Sequence, residues 1–218
     1  MQEKRTALIV GATGLVGKEV VSLLLKEDAY NKLVVISRRE LLLNDDKLIV
    51  LVNDFDTLSS LSLPHTVDDV FCCLGTTIKK AGSQANFRKV DEEYVVNTAE
   101  LALQYEACQF ILISAVGAND KARIFYNRVK GEVEEKIIQK GFQTVHIVRP
   151  SMLGGARDEF RLGEKLGTWF MRLFSFLFVG KLKRYAVVEA KDVAKSMIRF
   201  ALENESGVHI HESECLHD

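Results

Sequence analysis

The strongest constraint on the fold is an alternation that begins at the first apolar run. Short β-type stretches at residues 7–10, 32–37, 47–51, 67–74, 110–114 and 144–148 are separated by segments of helical period. None of these stretches alternates apolar with polar residues, so each is expected to be covered on both faces. Strands that take turns with helices and are buried on both sides define an α/β chain with a doubly wound parallel sheet and helices on both faces. Residues 15–26, 87–105, 123–139 and 190–202 read as helices. In the second of these, Phe87, Val90, Tyr94, Thr98, Leu101 and Tyr105 recur every three or four positions, which predicts one continuous helix. A short strand is read near 185–188, and a last run follows at 207–211.

With 218 residues, 47% of them hydrophobic, one large core is expected, so the whole chain 1–218 reads as a single domain. Pro150 follows the sixth strand and opens the last third. There, residues 151–185 are read as a small lid that covers substrate, with Met152, Leu153, Trp169 and Phe170 as an apolar pocket wall and Arg157, Glu159 and Arg161 near its start. The apolar run 166–179 is interrupted by Arg172 and is shorter than the ~20 residues a membrane span needs. It reads as a buried or interface helix, a candidate homodimer contact, with peripheral membrane contact as the weaker alternative.

A balance of 29 Lys+Arg against 30 Asp+Glu argues against the electropositive surface that nucleic-acid binding requires. The partner expected instead is a small-molecule substrate. Cys72, Cys73, Cys108 and Cys215 form no Cys-x-x-Cys pair, and residues 1–6 show no signal-peptide pattern, so a reduced, cytoplasmic location is expected. His209, His211, Glu214, Cys215 and His217 match no closed metal site and read as a solvated tail.

Gly11, Gly14 and Gly17 of GATGLVG stand between the first strand and first helix. Glycines there permit a tight turn and close approach of backbone to a pyrophosphate, whose charge meets the free N–H groups of the helix end. Thr13, Leu15 and Val16 complete that loop as cofactor-binding candidates. A carboxylate is expected about 20 residues further on when NAD is read, but the second strand ends in Ser37-Arg38-Arg39. Guanidinium groups suit a 2′-phosphate, which favours NADP(H). By position, Asp54 is a candidate acceptor for the adenine amino group with Phe55 packing nearby, Leu74, Gly75 and Thr76 border the cofactor ribose, and Pro150 is a further cofactor-binding candidate.

Tyr126 and Lys130 are four apart on a helix and share a face, and Ser114 ends the fifth strand. A phenol is a poor base at neutral pH, and a nearby ammonium favours its ionised form. The three residues are therefore read as catalytic. Ser114 holds the substrate oxygen, Tyr126 is the general acid/base, and Lys130 supplies charge and binds the nicotinamide ribose.

GATGLVG, SRR, ILISAVGA, YNRVKGEVEEKI and VRPSMLGGARDEFRLGE together resemble the atypical short-chain dehydrogenase/reductases, in the Tat-interacting oxidoreductase-like NAD(P)-binding group. The resemblance covers about residues 7–202. It implies a Rossmann-like fold, NADPH held through Gly11, Gly14, Gly17, Arg38 and Arg39, and an active site at Ser114, Tyr126 and Lys130. Many extended relatives place an Asn, which orders a relay water, where this chain has Asp91. The expected activity is hydride transfer to or from a small or lipid-like carbonyl or alcohol. A non-catalytic NADP-sensing or protein-interaction regulator is the alternative, and a nucleotide-sugar epimerase or dehydratase the third reading.

Overall fold

The structure is a computed structural model that describes residues 4–151, 153–154, 187–203 and 205–216. Much of the expected lid, including Met152, Arg157, Glu159, Arg161, Trp169 and Phe170, lies outside the described residues, as does His217.

The strands β1 (Arg5–Val10), β2 (Tyr30–Ser37), β3 (Leu48–Val52), β4 (Asp69–Cys72), β5 (Gln109–Ile113), β6 (Thr144–Arg149) and β9 (Gly207–Glu212) form a seven-stranded sheet in the order β3-β2-β1-β4-β5-β6-β9. Every pairing in it is parallel. A separate two-stranded ribbon joins β7 (Leu153–Gly154) to β8 (Val188–Glu189).

Successive side chains along each strand point to opposite faces, and each face has its own core. From β1, Leu8 and Val10 join one cluster with Val95 and Ala99 of α4 (Tyr94–Gln104) and Val133 and Ile137 of α5 (Phe125–Ile138). Ala7 and Ile9 join the other, with Val20 and Leu24 of α1 (Leu15–Leu24) and Val193 and Met197 of α6 (Ala190–Leu202). The uninterrupted apolar strands are thus explained by helices on both sides.

Two elements depart from the sequence reading. The expected helix over 87–105 is broken into α3 (Gln84–Arg88), a π-helical turn (Lys89–Glu93) and α4, with a four-residue α2 (Ile78–Ala81) before them. Apolar spacing does not register the extra residue that a π turn inserts, because the core stripe resumes at Tyr94. The expected solvated tail is also corrected, since His209 and His211 lie on β9, paired in register with β6.

At the amino ends of the strands, Asp69 is buried at the start of β4 and accepts from Tyr30 Oη at 2.6 Å, Gln109 Nε2 at 2.9 Å and Arg5 Nη1 at 3.2 Å. These bonds tie β1, β2, β4 and β5 together.

Candidate functional site

The chain leaves β1, runs outward through β2 and β3, and returns to β4 on the other side of β1, so the strand order reverses between β1 and β4. Open α/β sheets bind ligands at such a crevice, outside the carboxyl ends of the strands. Here that crevice is built of glycine. Gly11 has φ +77°, and a Cβ on it would stand 2.4 Å from the Cys73 carbonyl oxygen; a Cβ on Gly17 would stand 2.2 Å from the Gly11 carbonyl oxygen. Both contacts are with backbone, so no side chain can be accommodated by rotation. The Gly14 N–H donates to Gly11 O at 2.9 Å and closes the turn. Helix α1 then begins with no side-chain cap and no acidic residue in its first turn, which leaves its N–H dipoles facing the crevice. Thr13 is exposed and Leu15 half-buried, whereas Val16 is core, so Val16 offers only its backbone to a ligand.

Arg38 and Arg39 follow β2 directly and are exposed; neither guanidinium forms an ion pair among the described residues. Asp54 is exposed after β3, and its Oδ1 accepts from the Asp56 N–H at 3.2 Å, capping the 3-10 turn Phe55–Ser60. Phe55 points inward: its ring is buried and lies 5.3 Å from that of Tyr94. Its apolar surface is spent in the core, so Phe55 offers a ligand nearby only its backbone.

At the end of β5, Ser114 is buried, its N–H donates to Val148 O at 2.7 Å, and its Oγ has no hydrogen-bond partner among the described residues. Pro150, also buried, accepts from the Val116 N–H at 3.0 Å and stitches β6 to the loop after β5.

That loop is strapped to α5. The Asn119 N–H donates to Asn127 O at 3.0 Å, and a Cβ on Gly131 would lie 2.2 Å from the carbonyl carbon of Asn119. Tyr126, in the first turn of α5, is half-buried with its ring 5.5 Å from Phe87. One turn further, Lys130 is buried, its Nζ 2.8 Å from Asp91 Oδ1. Burial works to strip the proton from Lys130, but attraction to Asp91, then to Tyr126, more than reverses this and holds its pKa above the ordinary lysine value. Gly75 adjoins the pair: a Cβ on it would lie 3.6 Å from Asp91 Oδ1 and 3.8 Å from Lys130 Nζ. Leu74 is buried, and the Thr76 N–H donates to Asp91 Oδ2 at 2.8 Å.

Asp91 as partner of Lys130 is the residue that sequence reasoning missed; it stood out only as a departure from Asn. A carboxylate among Lys89, Glu92 and Glu93 carries no sign in the sequence that it alone turns fully inward. Around it, Glu92 pairs with Arg88 and Lys136, and Arg88 also pairs with Glu132 at 2.6 Å, so the π turn is anchored to α5.

A parallel sheet with a glycine-lined crevice at its switch point defines a nucleotide-binding α/β protein of the Rossmann type. The chain belongs to the NAD(P)H-binding family, whose model matches residues 11–201. It is 35% identical over 176 residues to protein HTATIP2 of Rattus norvegicus, covering 79% of this chain and 71% of that protein. It is 32% identical over 212 residues to protein FMP52, mitochondrial, of Candida albicans, covering 93% and 90%. Among solved structures, WbmH of Bordetella bronchiseptica in complex with NAD+ superposes with a TM-score of 0.70 at 16% identity, over 97% of this chain and 76% of that one. The ADP-L-glycero-D-manno-heptose-6-epimerase of Helicobacter pylori superposes with 0.68 at 18%, over 96% and 77%. These two likenesses concern the fold.

The relatives overturn the cytoplasmic placement, since FMP52 proteins of several fungi are named as mitochondrial. Unpaired thiols could not separate the two compartments, because they suit any reducing one. No helix among the described residues is long and apolar enough to cross a membrane.

Proposed function

We propose that this protein is an NADPH-dependent oxidoreductase that acts on a small or lipid-like carbonyl or its alcohol, with Tyr126 as general acid/base. The observation that carries this reading is the buried, charged Lys130 one turn after Tyr126 and beside the Gly75 loop, on the rim that also holds the glycine crevice. Structural packing alone gives no reason to bury an ammonium there.

The residues fit a dinucleotide. The tight turn that Gly11 and Gly17 allow by packing backbone on backbone, and the uncapped start of α1, suit a pyrophosphate. The exposed guanidinium groups of Arg38 and Arg39 suit a 2′-phosphate, and the free oxygen of Asp54 an adenine amino group. When bound, the nicotinamide supplies or accepts the hydride. Ser114 Oγ, without a partner among the described residues, would orient the substrate oxygen. Tyr126 Oη would donate its proton to that oxygen in reduction and take it back in oxidation, and Lys130 would hold the ribose and keep positive charge beside the phenol.

The test is a fluorescence titration with NADPH and NADH, followed by a panel of aldehydes, ketones and quinones read at the NADPH absorbance. NADPH-selective binding with turnover supports the reading. Tight binding without any turnover would favour the regulator that senses NADP.

A further inference from the structure

Asp91 has no exposed surface, and a carboxylate stripped of water is costly unless charge and hydrogen bonds replace its hydration. Both replacements are present, and they come from two separate pieces of the site. Oδ1 meets Lys130 Nζ of α5 at 2.8 Å, and Oδ2 accepts from the Thr76 N–H of the loop after β4 at 2.8 Å. The π turn matters here, since it is the irregularity that carries Asp91 between those pieces.

The groups facing Lys130 from its surroundings are Asp91 from the π turn, Tyr126 from its own helix and Cys72 from β4. Burial pushes the Cys72 thiol up to about 12, so it is neutral at working pH. Among these neighbours, Asp91 is the formal countercharge.

We propose that Asp91 is the positioning residue of this site. Its carboxylate clamps the ammonium beside Tyr126 and the loop beside the cofactor ribose into one unit, and keeps that ammonium charged. This differs from an Asn at the same place, which has no charge to give to a buried cation. The inference rests on the assignment of Lys130 to the site.

The decisive measurement follows the Lys130 side chain by NMR in the ligand-free protein, identified by its loss in Lys130→Met. In Asp91→Asn the deprotonation midpoint of Lys130 falls by at least one pH unit, a tenfold change in its equilibrium; an unchanged midpoint overturns the proposal. A lone buried ammonium could prevent folding, so the double variant Asp91→Asn with Lys130→Met is melted beside the single ones. Recovery in the double variant of stability lost in Asp91→Asn supports the clamp, and additive losses overturn it.

NADPH binding gives a further reading. Affinity of Asp91→Asn should decline as the pH rises from 7 to 9.5 while wild type stays level, and an equal loss at every pH would mean loop support alone and sink the proposal. If wild type binds neither nucleotide, the functional reading fails, while the Lys130 titration still decides the role of Asp91.

Discussion

At the scale of single residues, the cofactor assignment makes two contrasting predictions. Arg38→Ala with Arg39→Ala removes charge-assisted bonds of about 1.5–3 kcal/mol each to a 2′-phosphate. NADPH should weaken by roughly 10²- to 10⁴-fold and NADH hardly at all, as measured by parallel fluorescence titrations; equal effects on both would remove the arginines from phosphate recognition. Tyr126→Phe keeps the ring near Phe87 and deletes the hydroxyl. Turnover should fall by at least 10²-fold while NADPH affinity stays within a factor of about two. Glycine was the most legible feature at this scale, because Gly11 and Gly17 stand where backbone meets backbone and no other residue fits. The role of the Phe55 ring was less legible. An aromatic after β3 suits an adenine as well as it suits a core, and only the packing against Tyr94 separates the two.

At the scale of elements, the strands and the helices α1, α5 and α6 were readable because each has a continuous apolar face. The π turn and the ordered β9 were not. The turn hides inside an unbroken stripe, and β9 carries His209 and His211, with Val208 and Ile210 on its exposed side, so its composition looks like a tail. What makes β9 a strand is contact. His146 of β6 stacks with His211 at 5.2 Å between ring centroids, His211 stacks with Phe200 of α6 at 3.5 Å, and His146 Nδ1 lies 3.0 Å from His211 Nε2. A hydrogen bond between two imidazoles requires one to be neutral. Burial first, then the neighbouring imidazoles, lower His146 to about 4; burial, His209 and Arg199 of α6 do the same to His211. In the unfolded chain both take up a proton near 6.5, so the unfolded state binds more protons below that value. The stability they contribute is complete above about pH 6.5 and is lost as the pH falls toward 4. The loss should amount to about 2 kcal/mol for the pair after solvent screening, visible as a lower melting temperature at pH 5 than at pH 7. A double variant with Gln at 146 and 211 should show a smaller drop, and an identical drop would place the acid sensitivity elsewhere.

At the scale of the whole molecule, the crevice lies between β1, which continues outward through β2 and β3, and β4, which leads on to β5 and β6. A dinucleotide held there would touch the loop after β1, the end of β2 and the loop after β4 together, and so bridge the two halves of the sheet. Such a ligand binds the folded chain and has no site on the unfolded one, so occupancy must raise stability. At a hundred times its dissociation constant the gain is about 2.7 kcal/mol. For a domain of this size each kcal/mol moves the melting temperature by roughly 2–4 °C, which gives a rise of about 5–10 °C with NADPH. NADH at the same concentration should give a smaller rise, because it lacks the phosphate that Arg38 and Arg39 would hold. Gly17→Ala provides the contrast that isolates the loop. Its methyl would meet the Gly11 carbonyl oxygen at 2.2 Å, so the turn must open, at a cost of about 1–3 kcal/mol in the free protein. The variant should melt lower without ligand and gain little from NADPH, since the opened turn no longer presents its N–H groups to the pyrophosphate. A variant that melts lower yet keeps the full NADPH-induced rise would show that the dinucleotide is bound elsewhere on the sheet.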